Sequence, residues 1–246
     1  MNKKRSPRDN KRAKNRLKKL ANAFIIIGLI FLAVPAGFWV NTAYYQWEQA
    51  REWKQRIVSG SDDSIRTLRQ SKAGQGVNSK RLQQSGDGRE EAVIEDDFIS
   101  SPSELIDKSP AKTGDSIAYI EIPGIDLRAS VIEGEAWTNL AKGPVRVRKT
   151  ARIGDKGTTL ISGHRTMYGA PFHDLHKLEL SDKIILYTGK ALFVYTITGI
   201  KKVDPDDWSD IKPDSGPQLV LSTCEPMYSA KKRLLIITRL SDARRL

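Results

Sequence analysis

Hydrophobic positions are distributed very unevenly along the chain. Leu20 to Trp47 contains no charged residue. Its centre, Ala23 to Val40, is as long as the ~20 apolar residues that a helix needs to cross a bilayer core. Gly28, Pro35 and Gly37 interrupt this run; they are costly in a soluble helix and tolerated in a membrane one. Trp39, Tyr44, Tyr45 and Trp47 gather at its far end, as an interfacial aromatic belt does. A cleaved signal peptide is the competing reading. Val34-Pro-Ala36 offers a weak cleavage site, but the apolar run exceeds the ~7–15 residues of a signal peptide.

Helix formers continue from Thr42 to about Val58, predicting an extension of the anchor helix. From Ser59 to about Pro110, Gly, Ser, Gln and mixed charges dominate without apolar periodicity. Such a segment cannot offset its ordering entropy and reads as a flexible stalk, with a short helix at Ile94–Ile106.

From Ser116 the pattern changes to short strands separated by turn residues. Ile117–Ile122, Leu127–Glu133, Thr158–Ser162, Lys183–Tyr187, Ala191–Ile200, Gln218–Thr223 and Arg233–Leu240 read as seven strands, with short helices at Ala136–Leu140 and Phe172–Leu178. Strands at this spacing predict an all-β barrel or sandwich. The last strand would end six residues before Leu246, leaving no room for a second anchor. Four segments result: a basic tail (1–19) expected to be disordered, the anchor (20–47), the helical extension and stalk (48–110) and a β domain (111–246).

Charge sharpens the first boundary. The net charge is +12 over 246 residues, but ten of the 41 Lys/Arg lie among the first 20 residues against a single acid, Asp9. Most of the excess therefore belongs to a tail, not to a nucleic-acid-binding face. By the positive-inside rule it places the N-terminus in the cytoplasm and the β domain outside. A single cysteine excludes an internal disulfide framework and any CxxC metal site.

Three predicted strands end on, or carry, one reactive side chain each: His164, Cys224 and Arg233. A thiol nucleophile needs a nearby base or cation to form the thiolate. A lone Cys is usually a buried apolar residue. Here Pro226 ends the strand just beyond Cys224, which places the thiol at a strand mouth. Glu225 is expected to point outward, since an inward carboxylate would disfavour the thiolate. Gly163 gives the backbone freedom next to His164. A guanidinium offers a rigid fork of donors to an oxyanion, but spacing alone does not separate Arg233 from Lys232 or Arg165. His173 and His176 share a helical face without a third ligand nearby, so no metal and no cofactor is expected.

Taken together, Thr159-Leu-Ile-Ser-Gly-His-Arg-x-x-Tyr-Gly-Ala-Pro-Phe172, Leu221-Ser-Thr-Cys224 and Ser229-Ala-Lys-Lys-Arg-Leu234 resemble the sortases, cysteine transpeptidases of Gram-positive bacteria. The Tyr168–Phe172 segment resembles class E, the housekeeping type of actinobacteria. The resemblance implies an eight-stranded β-barrel, one strand more than the pattern predicts. It implies that Cys224 cleaves the Thr–Gly bond of an LAxTG- or LPxTG-type sorting signal through a thioacyl-enzyme. A cell-wall amine, such as that of a peptidoglycan precursor, then accepts the protein. His164 would be the acid/base and Arg233 the oxyanion stabiliser, with Tyr168, Ser222 and Thr223 at the substrate. The family's TLxTC pattern appears as Val220-Leu-Ser-Thr-Cys224, without the first Thr, and Glu225 stands where class E often has His. The rival readings are a pilin-polymerising sortase and a non-catalytic, membrane-tethered binding barrel.

Overall fold

The computed structural model describes residues 7–60, 104–213 and 216–246. Helix α1 runs unbroken over Pro7–Gly60. The barrel strands are β1 (Ser116–Ile122), β2 (Leu127–Glu133), β3 (Val145–Arg146), β4 (Thr158–Ser162), β5 (Lys183–Tyr187), β6 (Ala191–Val203), β7 (Gln218–Glu225) and β8 (Lys232–Arg245). A single helical turn, α2 (Trp137–Leu140), follows β2.

The eight strands close in the order β1-β2-β3-β4-β7-β8-β6-β5. Closure leaves no unpaired edge to recruit another chain. Two junctions are parallel, β2 with β3 and β4 with β7. The interior is filled by alternate residues of the seven longer strands, among them Ile120, Val131, Ile161, Leu186, Phe193, Leu221 and Ile236.

The strand missing from the sequence pattern is β3, only two residues long. An ion pair inside the wall secures it: Arg146 donates through Nε and Nη2 to both carboxylate oxygens of Glu133 (2.8 and 2.5 Å). Its Nη1 caps the carbonyls of Thr150 and Ala151. Other boundaries also differ from the pattern. β6 and β8 extend to Val203 and Arg245 because each pairs along the whole length of the other. The predicted helix at Phe172–Leu178 is a 3₁₀ turn at Leu175–Lys177. The basic segment expected to be disordered is helical from Pro7, since Lys, Arg and Ala elongate an existing helix readily. Most of the expected stalk lies outside the described residues, as does the larger part of Ile94–Ile106; Leu105 and Ile106, at its end, are buried.

The helical extension is docked on the barrel. Trp53 of α1 is 2% exposed and packs on Tyr119, Ile185, Tyr187, Leu192 and Val194 of the outer wall. Its indole N–H donates to Ser116 Oγ (2.8 Å). Seven residues earlier, Gln46 accepts from the Ser130 N–H and donates to Lys142 O, both at 2.8 Å. Ahead of this docked part, Leu17–Val34 has no buried residue and a mean hydropathy of 2.0; it is long and apolar enough to cross a membrane.

Candidate active site

The parallel pair β4–β7 sets the geometry. Its register runs from Thr158 beside Gln218 to Ser162 beside Ser222. Two residues on lie His164, just beyond the end of β4, and Cys224, within β7, and continuing the same register brings them level. The pairing is carried past the end of β4 by two bonds: the Gly163 N–H donates to Ser222 O (3.0 Å) and the Thr223 hydroxyl donates to Gly163 O (2.8 Å). Thr223 is 2% exposed, so its hydroxyl faces Gly163 rather than the open side. Ser222 shares the face of Cys224 by strand alternation.

The antiparallel pair β7–β8 supplies the cation. Cys224 and Arg233 are register partners. Arg233 Nη1 lies 3.5 Å from Cys224 Sγ, and the thiol is half-buried. The other candidate cations point elsewhere. Lys232 pairs with Asp204 (3.3 Å). Arg165 is buried, paired with Glu225, and its Nη1 donates to the Cys224 carbonyl (3.0 Å). Glu225 also holds Lys202 (2.7 Å). Glu225 alternates away from the sulfur but does not point outward as expected: it is buried in an ion-pair network with Arg165 and Lys202.

The loop after His164 completes the site. Tyr168, Gly169 and Ala170 all have positive φ (51°, 73° and 45°). Two of the three are not glycine, the kind of backbone strain that gathers at functional loops. The strain is held by Phe172, whose N–H donates to His164 O (3.0 Å) and whose ring is fully buried. That ring lies so close to Gly163 that a Cβ there would stand 2.6 Å from it, which explains the glycine. Tyr168 is turned onto the imidazole of His164, with centroids 5.1 Å apart, and its other edge meets Trp137 at 5.6 Å.

Burial under this loop holds the His164 pKa below its ordinary value of 6.5. Its Nε2 is buried and has no hydrogen-bond partner among the described residues. The arrangement therefore presents a neutral imidazole, a half-buried thiol and a fixed guanidinium along one rim. Those are the parts of a nucleophile, a proton carrier and a stabiliser of developing negative charge. His176 lies on the Leu175–Lys177 turn and His173 just before it, where His173 Nδ1 meets Asp174 (2.8 Å). Among the described residues no group of three His, Cys, Asp or Glu could hold a metal ion.

Comparison with known proteins agrees with the geometry. The sortase domain family model matches residues 120–241. The chain belongs to the sortase family. It is similar to the solved structure of sortase E from Streptomyces avermitilis, at 33% identity and a TM-score of 0.50, covering 55% of this chain and 93% of that one. Sortase E1 from Streptomyces coelicolor, solved with a tripeptide in its active site, matches at 26% identity and a TM-score of 0.51, covering 55% of this chain and 94% of that one. Among curated proteins, sortase A of Bacillus anthracis is 30% identical over 121 residues, which is 49% of this chain. The match spans 57% of that relative's own length.

Three features of this sortase were not singled out in the sequence: the Arg165–Glu225–Lys202 network, the contact of Trp137 with Tyr168, and the docking of α1. A basic residue after the His and an acid after the Cys hinted at the first. Nothing local to the other two announced them.

Proposed function

We infer that this chain is a membrane-anchored cysteine transpeptidase that cleaves a C-terminal sorting signal and transfers the secreted protein to a cell-wall amine. The observation that carries the reading is the guanidinium of Arg233 at 3.5 Å from the only thiol of the chain, on a strand register that sets His164 alongside. The tripeptide in the active site of the Streptomyces coelicolor relative supports a peptide substrate.

In the proposed reaction, Cys224 Sγ attacks the Thr carbonyl of the signal while its proton passes to His164. Arg233 holds the charge that develops on the carbonyl oxygen, a role usually worth ~10²–10³ in rate. Collapse of the tetrahedral adduct breaks the Thr–Gly bond, His164 returns the proton to the glycine amine, and a thioacyl-enzyme remains. An incoming amine repeats the steps in reverse order. Because burial keeps His164 neutral, the ion pair need not dominate at rest; proton transfer can accompany attack. Tyr168, whose ring lies against the imidazole, would contact the signal, and by its resemblance to class E it would favour the LAxTG type.

Residues 1–19 would form the cytoplasmic tail, 20–47 the anchor, 48–110 the extension and stalk, and 111–246 the extracytoplasmic catalytic barrel. The test is a cleavage assay with LAxTG and LPxTG peptides, with and without an amine acceptor. Thr–Gly cleavage accelerated or redirected by the amine supports the reading. A barrel that binds either peptide without cleaving it contradicts it.

A further inference from the structure

Helix α1 touches the barrel almost as soon as its apolar stretch ends. Val40 is exposed; two residues on, Thr42 is buried and its hydroxyl donates to Ala141 O (2.8 Å). A Cβ on Gly169 would stand 3.5 Å from the Thr42 methyl, so the loop that carries Tyr168 rests against this turn of the helix. Lys142, just after α2, places its ammonium over the Tyr45 ring (5.1 Å). From Thr42 the way to the catalytic imidazole is short: Gly169 adjoins Tyr168, whose ring contacts both His164 and Trp137. The reactive rim is thus level with the first docked turn of α1. The other end of the docked helix, at Trp53 and Arg56, lines a cavity of about 500 Å³ with Arg152, Thr188 and Gly189. At ~1.5 Å per residue, Trp53 lies about 16 Å farther from the apolar segment than Thr42.

Large apolar and aromatic side chains are exposed around the near end. Trp137 is 57% exposed and Met167 54%, while Tyr44 and Trp47 of α1 are 58% and 55% exposed. Amphipathic rings of this kind are at home in the headgroup layer, which is about 5–8 Å deep on each side of the hydrocarbon core. Val40 and Thr42 are only ~3 Å apart along the helix axis.

We propose that the docked helix turns the catalytic mouth toward the bilayer, so that Trp137 and Met167 rest in the phospholipid headgroup layer beside Tyr44 and Trp47. The partner is the membrane surface itself. A peptide whose scissile bond lies just outside its own membrane-spanning segment would then meet Cys224 without leaving that surface. The proposal rests on the anchored reading above and adds an orientation to it.

The test uses the full chain with Cys224→Ala, in phosphatidylcholine/phosphatidylglycerol vesicles. Single cysteines are introduced by Met167→Cys, Lys190→Cys or Ile30→Cys and labelled with bimane. Lys190 is exposed and adjoins the cavity at the far end of the docked helix. Lipids carrying a nitroxide at the headgroup should quench the label at 167 several-fold more than the label at 190. Acyl-chain nitroxides should quench the label at 30. Equal quenching at 167 and 190, or more at 190, with 30 still quenched, overturns the orientation and leaves the anchor standing. No quenching at 30 removes the anchored reading as well. A label at 167 that is shielded from aqueous quencher but untouched by headgroup nitroxides would indicate a protein partner, such as a second copy, and also overturns the proposal. Undocking by Gln46→Ala with Trp53→Ala should bring 167 and 190 to similar values while 30 stays quenched; unchanged quenching at 167 would overturn the role given to the docked helix.

Discussion

Arg233 reaches the sulfur of Cys224 because the two are register partners across β7 and β8, not because a flexible loop carries either one. The cation is therefore positioned by main-chain pairing, and its planar fork matters as much as its charge. Arg233→Ala should lower turnover by ~10²–10³, the usual loss of an oxyanion donor. Arg233→Lys should recover only part of it. Steady-state cleavage of a sorting-signal peptide checks both, with circular dichroism to show an unchanged fold. Full activity in Arg233→Lys would mean that charge alone suffices.

The buried pair of Arg165 and Glu225 lies behind Cys224, and Arg165 holds its carbonyl. Removing one member leaves the other charged and enclosed, which typically costs ~3–5 kcal/mol. Glu225→Ala should show this as a lower urea midpoint. The double change Arg165→Met with Glu225→Leu should recover much of the stability, because an apolar pair of similar volume is often neutral. It should not recover full activity, since the bond to the Cys224 carbonyl is lost. A double variant as unstable as the single one would show that the network does more than balance its own charges.

His164 titrates below 6.5 because burial disfavours the imidazolium. Its neutral form is favoured by folding, so this contribution to stability is present above the unfolded value near 6.5 and is lost as pH falls through the lower folded value. Nuclear magnetic resonance of the ring protons should show the depressed midpoint. Tyr168→Ala, which uncovers the ring, should raise it toward 6.5. An unmoved midpoint in that variant would mean that Tyr168 does not contribute to the burial.

Gly163→Ala tests the close approach beneath the site. The added Cβ meets the Phe172 ring at 2.6 Å, and overpacking of this kind costs ~1–3 kcal/mol. Because Phe172 also bonds the His164 carbonyl, the displaced ring should disturb the imidazole, and activity should fall by more than the loss of folded protein explains. Thermal unfolding and kinetics on the same sample separate the two effects.

Much of this site was legible in advance because its residues stand at strand ends, where a period-two apolar pattern stops abruptly. Leu219 and Leu221 announced β7, Pro226 stopped it, and Cys224 fell at its mouth. What stayed hidden depends on contacts distant in sequence. β3 has two residues and no periodicity; it exists because Arg146 and Glu133 clasp each other across the wall. Arg165, Lys232 and Arg233 looked alike until the register gave one to the sulfur, one to Glu225 and one to Asp204. Helix propensity foretold that α1 would continue past the apolar run, but not that Trp53 would be buried against Tyr119 and Tyr187. Thr223 donates its hydroxyl to Gly163 O, a bond visible only once β4 and β7 lie side by side.

The central claim is that Cys224 forms a covalent acyl bond with the peptide, and the direct measurement is intact-protein mass spectrometry during turnover of a sorting-signal peptide. The account predicts an adduct equal to the peptide up to its Thr, mapped to Cys224, discharged by an added amine, and absent together with cleavage in Cys224→Ala. Cleavage by Cys224→Ala at the parental rate would contradict it.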